Sequence, residues 1–144
     1  MHTRPALRSL NNEGNLLYSG GEDKSIVVWA VDGAAGTGKL LNSLEGAHDK
    51  WVRSLRLTPD SRTLVSGSAD TTIGLWEVEP QGGAKLLQVL RWHTDRVRCV
   101  RVSPDGRCVC VLSAVCRLQG AEAPAWRRGG LSMTSGVPWA VFWT

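Results

Sequence analysis

Three side chains in the middle of the chain have the types found in a nucleophilic triad: His48, Ser66 and Asp70. In such a triad the histidine accepts the proton of the serine hydroxyl, and the carboxylate orients the histidine. A triad is defined by its geometry and an exposed nucleophile, and no G-x-S-x-G motif surrounds Ser66. The three groups are better used as buried structural hydrogen bonds. We therefore predict no catalytic residue and no enzyme activity.

A second stretch could bind phosphate. Gly33–Leu40 reads GAAGTGKL, close to the pattern G-x-x-x-x-G-K-[ST], in which backbone N–H groups and the lysine hold phosphate oxygens. Leu40 replaces the hydroxyl that binds magnesium, and Leu40–Leu44 reads as a strand, whereas a phosphate site depends on a helix N-terminus. A flexible connection between two strands explains the glycines, with no cofactor. Nucleotide binding through Gly33–Lys39 stays open as an alternative.

Four cysteines lie in the last third of the chain and none forms a Cys-x-x-Cys pair; they are Cys99, Cys108, Cys110 and Cys116. A zinc site needs better ligand spacing, so we predict no metal site. Small buried thiols in a reducing compartment fit this pattern.

The composition indicates a globular protein, with 144 residues, 42% hydrophobic and 21% charged. The net charge of +4 does not establish a basic stripe, so a nucleic-acid partner is not expected. The first ten residues have no apolar core of a signal peptide, and no apolar run approaches the ~20 residues of a membrane span. We expect an intracellular protein, cytoplasmic or nuclear, with no membrane partner.

The chain repeats itself. SGGEDKSIVVW from Ser19 aligns with SGSADTTIGLW from Ser66, 47 positions later. HDKWVRSLRLTPDSR from His48 aligns with HTDRVRCVRVSPDGR from His93, 45 positions later. A period of this size predicts stacked supersecondary units rather than one irregular core. Such units present surfaces to partners and rarely carry out chemistry.

Each unit reads as short strands joined by tight turns. The unit that begins at His48 gives four strands, at Val52–Leu57, Thr63–Ser66, Thr72–Val78 and Leu86–Leu90. The preceding unit gives four more, at Ala6–Leu10, Leu16–Tyr18, Ile26–Val31 and Leu40–Leu44, with a loop at Asp32–Lys39. The following unit gives two, at Val97–Val102 and Cys108–Val111. We predict an all-β fold of antiparallel four-stranded meanders.

These units resemble the WD-repeat β-propeller family. The Gly-His start of that repeat is present as Ala47-His48, and its Trp-Asp end as Trp76-Glu77. The resemblance covers residues 2–114 and implies three parts: a partial first blade over 1–47, a complete repeat over 48–92 and a truncated third repeat over 93–114. Residues 115–144 lack the repeat and are expected to form an irregular tail.

The resemblance implies a buried hydrogen-bonded tetrad in each complete blade. In the second repeat its members would be His48, Ser66, Asp70 and Trp76, and the first repeat offers Ser19, Asp23 and Trp29. The indole N–H would donate to the serine, the serine to one histidine nitrogen, and the other nitrogen to the aspartate. In the third repeat Val111 and Val115 replace the serine and the aspartate, so no tetrad is expected there.

The resemblance also implies where a partner binds. Family members contact partners through the start of the first strand and the residue before the tetrad aspartate, which here gives Trp51, Arg53, Ala69, Arg96, Arg98 and Glu22. An exposed tryptophan beside arginines is typical of a binding hot spot for an acidic or phosphorylated peptide. The alternative is that Trp51 packs on a neighbouring blade and that the arginines are only solvated.

The length fits about three blades, whereas closed propellers have about 4–8 blades. We therefore expect an open, incomplete propeller whose edges could pair with other copies. The function that the resemblance implies is a scaffold or adaptor for protein–protein interaction. The expected context is a truncated isoform or fragment of a longer propeller protein, and the alternative is a non-functional or interfering truncated product.

Overall fold

The computed structural model describes residues 5–91, 93–106, 108–113 and 140–143. These residues form strands and turns, with no helix among them, which confirms the all-β prediction for this part of the chain. In chain order the strands are β1 (Pro5–Leu10), β2 (Leu16–Gly21), β3 (Ile26–Asp32), β4 (Thr37–Leu44), β5 (Val52–Leu57), β6 (Thr63–Ser68), β7 (Ile73–Val78), β8 (Ala84–Leu90), β9 (Val97–Val102), β10 (Cys108–Ser113) and β11 (Ala140–Trp143).

The strands form two four-stranded sheets and one three-stranded sheet. Strands β1 to β4 pair in sequence order as an antiparallel meander, which we call the first blade. Strands β5 to β8 form a second meander of the same order, the second blade. The third sheet has the order β11-β10-β9. None of the three sheets closes on itself, as expected for incomplete propeller blades.

The loop predicted over Asp32–Lys39 is too long. β3 continues to Asp32 and β4 already begins at Thr37, so the connection is a four-residue turn. The carboxylate of Asp32 accepts hydrogen bonds from the amides of Ala34 and Ala35, at 3.0 and 3.2 Å. Gly36 has a φ of 64°, a left-handed conformation that glycine adopts without strain. These two local features reverse the chain within one hairpin turn.

The third sheet differs from the two blades in its last strand. β9 and β10 pair antiparallel, as the repeat predicts, but β11 runs parallel to β10, with Val141 opposite Val109. An irregular tail was expected from residue 115, so the strand at 140–143 differs from that expectation. It supplies backbone partners to the edge of β10, which would otherwise be left unpaired. Residues 114–139 and 144 lie outside the described part.

The two ends of the sheets carry different turns. The turns β2–β3 and β6–β7 and the start of β5 lie at one end, which we call the upper end. The turns β1–β2, β5–β6 and β7–β8 lie at the opposite end, the lower end. The β5–β6 turn has Pro59 at its second position, and the amide of Ser61 donates to the carbonyl of Thr58 at 2.8 Å.

The second blade is buried on both faces because it stands between the first blade and the third sheet. Along β6 the side chains alternate between the two sides. Leu64 and Trp76 pack against Tyr18 and other residues of the first blade. Val65 packs against the third sheet, in a separate cluster with Val97 and others. Each fully buried side chain of this size contributes about 1.5–3 kcal/mol, so both interfaces hold the blades together.

Two glycines at equivalent positions allow the first strand of one sheet to pack closely against the sheet before it. We call these first strands, β1, β5 and β9, the inner strands. A Cβ at Gly20 would lie 2.7 Å from Cγ1 of Val52, and a Cβ at Gly67 would lie 2.6 Å from Cγ1 of Val97. Serine hydroxyls then bridge neighbouring inner strands. For example, the amide of Val100 donates to Oγ of Ser54 at 3.0 Å. The blades are therefore fixed relative to one another at their inner strands.

Candidate functional site

The upper end of the second blade is organised around the carboxylate of Asp70. Its Oδ1 accepts from the amide and the hydroxyl of Thr72, at 2.8 and 2.5 Å. Its Oδ2 accepts from the amide of Asp49 at 2.8 Å. Thr71, which lies between Asp70 and Thr72, has a φ of 77°. The hydrogen bonds of the Asp70 side chain impose this conformation on the turn. Asp70 thus joins the β6–β7 turn to the segment that enters β5.

A buried chain of hydrogen bonds starts at Trp76. Its Nε1–H donates to Oγ of Ser66 at 3.0 Å, and Oγ of Ser66 lies 2.7 Å from Nε2 of His48. On the other side of the imidazole ring, Nδ1 lies 2.9 Å from Oγ1 of Thr72 and 3.4 Å from Oδ2 of Asp70. Thr72 is therefore inserted between the histidine and the aspartate. The structure brings all four predicted residues of the second repeat together and adds a fifth.

The direction of each hydrogen bond in this series follows from its last acceptor, the carboxylate of Asp70. The Thr72 hydroxyl gives its proton to the ionised Asp70, so it can only accept from Nδ1–H of His48. Burial lowers the pKa of His48 below its ordinary value, against the opposing effect of the Asp70 carboxylate, so the ring is neutral at pH 7. Nε2 then carries no proton and accepts from Ser66.

Ionisation of Asp70 is secured by its hydrogen bonds. Burial alone would raise the pKa of this carboxyl, but hydrogen bonds from the Thr72 hydroxyl and from the amides of Asp49 and Thr72 outweigh that effect. The net result is a pKa below the ordinary value. The carboxylate therefore accepts at every position that the structure assigns to it.

This arrangement excludes nucleophilic use of Ser66. The residue is 0% exposed, and its hydroxyl receives the indole N–H of Trp76 while it donates to His48. A substrate cannot reach a hydroxyl in this position, and a nucleophilic serine must be accessible. The three triad residue types therefore serve as structural hydrogen-bond partners.

The first blade carries part of the same arrangement. Nε1 of Trp29 donates to Oγ of Ser19 at 2.8 Å, and the amide of Ser25 donates to Oδ1 of Asp23 at 3.3 Å. Val27 occupies the position of Gly74 in the second blade. Its side chain stands where, in the second blade, Gly74 leaves space beside the Ser66 hydroxyl, the Trp76 indole and the His48 ring. A candidate histidine for this copy, His2, lies outside the described residues.

The third repeat has an apolar residue at the position of the tetrad serine. Val111, at the position of Ser66, is 1% exposed and belongs to the cluster between the second blade and the third sheet. His93, at the position of His48, is 5% exposed, and burial lowers its pKa to about 4. Residue 115, at the position of Asp70, lies outside the described residues.

The exposed Trp51 and the half-buried Arg53 form a pair beside this hydrogen-bonded centre. Trp51 is 46% exposed, and Cζ of Arg53 lies 5.5 Å from the centroid of its ring, which is the geometry of a cation–π contact. The buried Nε of Arg53 has no hydrogen-bond partner within the described part of the chain. The pair thus combines a large aromatic surface with a guanidinium N–H that can still donate a hydrogen bond to a ligand oxygen.

The backbone beneath this pair is held at several points. The amide of Ala69 donates to the carbonyl of Trp51 at 2.9 Å, and Oγ of Ser68 donates to the carbonyl of Lys50 at 3.1 Å. Together with the bonds of His48 and Asp49, these contacts fasten the whole segment from 48 to 51 to the β6–β7 turn. Trp51 is therefore presented from a rigid position.

The remaining predicted contact residues differ in exposure. Arg96 and Arg98, which correspond by the 45-residue offset to Trp51 and Arg53, are exposed on the third sheet, and Glu22 is half-buried. Ala69 is only 8% exposed, so its side chain offers little surface to a partner. Ala69 contributes to the upper end through its backbone, because its amide donates to the carbonyl of Trp51.

The segment Gly33–Lys39 does not have the geometry of a phosphate-binding loop. It forms a hairpin turn followed by strand β4, whereas such a loop leads into a helix. The amides of Ala34 and Ala35 already donate to Asp32. Two of the backbone N–H groups that would hold a phosphate are thus used within the turn.

The described residues contain no candidate for a metal site or for a membrane-spanning helix. No group of three or more His, Cys, Asp or Glu side chains there could hold a metal ion. In the same part of the chain, no helix is long and apolar enough to span a membrane.

Two members of the site were missed from the sequence. Thr72 carries a signal, since the first copy has another hydroxyl residue, Ser25, at the same position. The sequence signal for Gly74 is weaker, because the first copy has a different residue, Val27, at the same position. A Cβ at Gly74 would lie 2.6 Å from Oγ of Ser66 and 2.9 Å from Nε1 of Trp76, so the second blade has no room for a larger residue at this position.

Comparison with known proteins agrees with this architecture. The family described as "WD domain, G-beta repeat" matches the chain three times, over residues 1–30, 38–77 and 84–116. The chain is 42% identical over 81 residues to "U3 small nucleolar RNA-associated protein 12" of Saccharomyces cerevisiae, covering 47% of the chain and 9% of that protein.

Two further relatives cover more of the chain. "WD repeat and SOCS box-containing protein 1" of Xenopus tropicalis is 38% identical over 100 residues, which is 69% of the chain and 22% of that protein. "Nuclear distribution protein nudF" of Aspergillus niger is 33% identical over 94 residues, 65% of the chain and 19% of that protein. The chain thus spans less than a quarter of the length of these relatives. From its three repeats, its blade architecture and these matches, the chain belongs to the WD40 repeat family.

Proposed function

We propose that the chain acts as a protein-interaction scaffold and binds a partner at its upper end through Trp51 and Arg53. WD40 repeats and WD-repeat relatives support the scaffold role in general. The observation that carries the specific site is the stacking of Arg53 on an exposed Trp51, with a buried guanidinium N–H that has no partner in the described part of the chain. Enzymatic activity is not part of this proposal.

The chemistry of the pair indicates the class of partner. A guanidinium can bind a carboxylate or a phosphate through two parallel hydrogen bonds, and a tryptophan face buries a large area at low entropy cost. The exposed Arg96 and Arg98 extend the positive charge along the third sheet. We therefore propose an acidic or phosphorylated peptide segment as the ligand.

The test is a binding screen with the full chain. Short fluorescein-labelled peptides that vary in Asp, Glu and phosphoserine content are titrated by fluorescence polarisation. Trp51→Ala and Arg53→Ala should each weaken the best peptide by about tenfold or more, as for a hot-spot residue. Two control variants, Leu87→Ala and Arg101→Ala, remove an exposed apolar side chain and an exposed arginine outside the proposed site. Both should leave binding unchanged. Selection of uncharged peptides, or normal binding by both site variants, would refute the proposal.

Self-association is a second proposal, favoured by the side of the first blade that faces away from the second blade. Leu17 and Trp29 are half-buried there, at the positions that Leu64 and Trp76 hold in the second blade. Leu64 and Trp76 are 0% and 3% exposed because the first blade covers them. We propose that a second copy covers Leu17 and Trp29. Sedimentation should then show concentration-dependent assembly that Leu17→Glu removes and Leu87→Glu does not; a monomer at all concentrations contradicts it.

We also propose that the chain acts inside the cell, in the cytoplasm or the nucleus. The names of two relatives refer to a nucleolar RNA and to nuclear distribution, which supports this assignment without specifying the compartment. Fluorescence microscopy of the tagged chain tests it, and accumulation in the medium or in the secretory pathway would contradict it.

A further inference from the structure

A cleft of about 790 Å³ opens at the lower end, on the opposite side of the molecule from Trp51. It lies between the first and second blades, where the turns β1–β2 and β5–β6 meet the end of β7. The residues that line it are Asn11, Asn12, Glu13, Leu16, Tyr18, Asp60, Ser61, Arg62, Glu77, Val78, Glu79 and Pro80.

The cleft is acidic in a chain of net charge +4. Four of its lining side chains are the carboxylates of Glu13, Asp60, Glu77 and Glu79, and Arg62 is the one basic residue among them. All five are exposed at their surface. Like charges held around one cavity focus the field inside it, so the cleft attracts a cation.

The carboxylate of Asp60 is fixed in its ionised form. A hydrogen bond from the Thr58 hydroxyl, followed by one from the amide of Arg62, lowers its pKa below the ordinary value. The same bonds hold the side chain in place at 2.5 and 3.0 Å. This part of the negative charge is therefore positioned before any ligand arrives.

The inner wall of the cleft contains a hydroxyl without a partner. Tyr18 is 0% exposed, and its OH makes no hydrogen bond within the described part of the chain. Burial raises the pKa of this phenol to about 12, so the group remains neutral and able to accept a hydrogen bond. Buried hydroxyls nearly always have a partner, so this one marks a place where a polar ligand group or water belongs.

The walls of the cleft are built before binding. Nδ2 of Asn12 donates to the carbonyl of Pro59, and the amide of Asn12 donates to Oγ of Ser61 at 3.1 Å. These bonds join the β1–β2 turn to the β5–β6 turn across the blade boundary. Oδ1 of Asn11 accepts from the amide of Leu16 at 2.9 Å and so closes the first turn. The turns would therefore need little ordering when a ligand enters, and only the Tyr18 oxygen, which is 0% exposed, would have to become accessible.

We propose that this cleft binds an arginine side chain of a protein partner, with its aliphatic stem against Leu16 and Val78 and its guanidinium between the carboxylates and the Tyr18 oxygen. Arginine fits because it offers five donors in one plane to several oxygen acceptors, while its three methylene groups suit an apolar wall. The site is separate from the upper-end surface, so either proposal can fail without the other.

The test is an NMR titration of the full ¹⁵N-labelled chain with N-acetyl-arginine amide. N-acetyl-citrulline amide is the matched probe, since it has nearly the same shape without the charge, and N-acetyl-lysine amide tests whether any cation suffices. The arginine probe should shift amide signals of residues 11–16 and 60–62, and the citrulline probe should not. If the citrulline probe shifts these signals as much as the arginine probe does, the proposal is overturned. Shifts confined to the upper end would also overturn it.

Variants separate ligand binding from a water-filled cleft. Glu77→Gln should weaken the arginine probe by about threefold, as for a solvent-exposed ion pair, and Tyr18→Phe should weaken it as well. Glu22→Gln, at the upper end, should have no effect. If Tyr18→Phe and Glu77→Gln both leave the probe affinity unchanged, the hydroxyl is satisfied by water alone and the proposal is wrong. Because Glu77 lies on the surface, its substitution should not impair folding. The Glu77→Gln result therefore remains informative even if Tyr18→Phe impairs folding.

Discussion

Nε2 of His48 lies 2.7 Å from Oγ of Ser66, which connects the segment entering β5 to the middle of β6. Both residues are buried, at 6% and 0% exposure. Through this contact, the indole of Trp76 on β7 is linked to the Asp70 carboxylate at the upper end. The bond therefore ties the interior of the second blade to the surface on which Trp51 stands.

Replacing Thr72 by valine should destabilise the chain. The change keeps the shape but removes the hydroxyl that accepts from His48 and donates to Asp70, leaving buried polar groups unpaired, at a cost of about 1–3 kcal/mol. Urea denaturation gives the free energy of unfolding. Thr72→Ser, which retains the hydroxyl, is the control and should lose much less. Equal stability of the valine variant and the parent chain would show that Thr72 is not a member of the hydrogen-bonded chain.

Gly74→Ala should be costly, because its Cβ would lie 2.6 Å from Oγ of Ser66 and 2.9 Å from Nε1 of Trp76. We expect a loss of about 1–3 kcal/mol from overpacking. Gly38→Ala is the matched control, since it also lies in a strand and its Cβ would meet nothing closer than 3.8 Å. Thermal unfolding of the two variants compares them. A Gly74 variant as stable as the Gly38 variant would contradict the packing described around Ser66.

Thr71→Asn should stabilise the chain. Thr71 has a φ of 77°, a left-handed conformation that costs a β-branched residue about 1 kcal/mol and that asparagine adopts more readily. In the described part of the chain, the side chains that form hydrogen bonds within the β6–β7 turn are those of Ser68, Asp70 and Thr72, and Thr71 is not among them. The melting temperature should therefore rise. A fall in melting temperature would indicate that the threonine side chain has a role that its backbone geometry does not reveal.

Stability should fall as the pH is lowered from about 6.5, the ordinary pKa of histidine. Burial lowers the folded-state pKa of His93 to about 4 and also lowers that of His48. Between the unfolded and folded values the unfolded chain binds more protons, so protonation favours unfolding. The pKa of Asp70 is lowered as well, so its contribution is lost only below the ordinary aspartate range. Urea titrations at a series of pH values should show this slope.

The histidine origin of that slope can be checked separately. His93→Gln removes one of the two groups and should flatten the dependence between about pH 6.5 and 4, the ordinary and folded-state values. An unchanged slope would assign the acid sensitivity to other groups.

The repeated segments were sufficient to predict the fold. The 47-residue offset places strands at the same positions in both blades, and turn residues such as Pro59 define where they end. Strand ends were less accurate, because backbone pairing in the β3–β4 hairpin continues through Thr37 and Gly38. Nothing in the local pattern marks that extension, which depends on how Asp32 closes the turn.

The sites could be predicted only in part. His48, Ser66 and Trp76 were singled out by the resemblance to the WD-repeat family, but the insertion of Thr72 depends on the shape of the β6–β7 turn. The lower-end cleft could not be anticipated, since it forms where three turns from distant parts of the sequence meet. The missing partner of the Tyr18 hydroxyl is likewise visible only once the blades are packed together.

The protonation state of the His48 ring is the most direct test of the central claim, that a directed chain of buried hydrogen bonds from Trp76 to Asp70 holds the upper end in place. ¹⁵N NMR of the histidine side chains at pH 7 measures it. We predict a neutral ring with the proton on Nδ1 and none on Nε2. A ring protonated on Nε2, or a charged imidazolium, would contradict the claim.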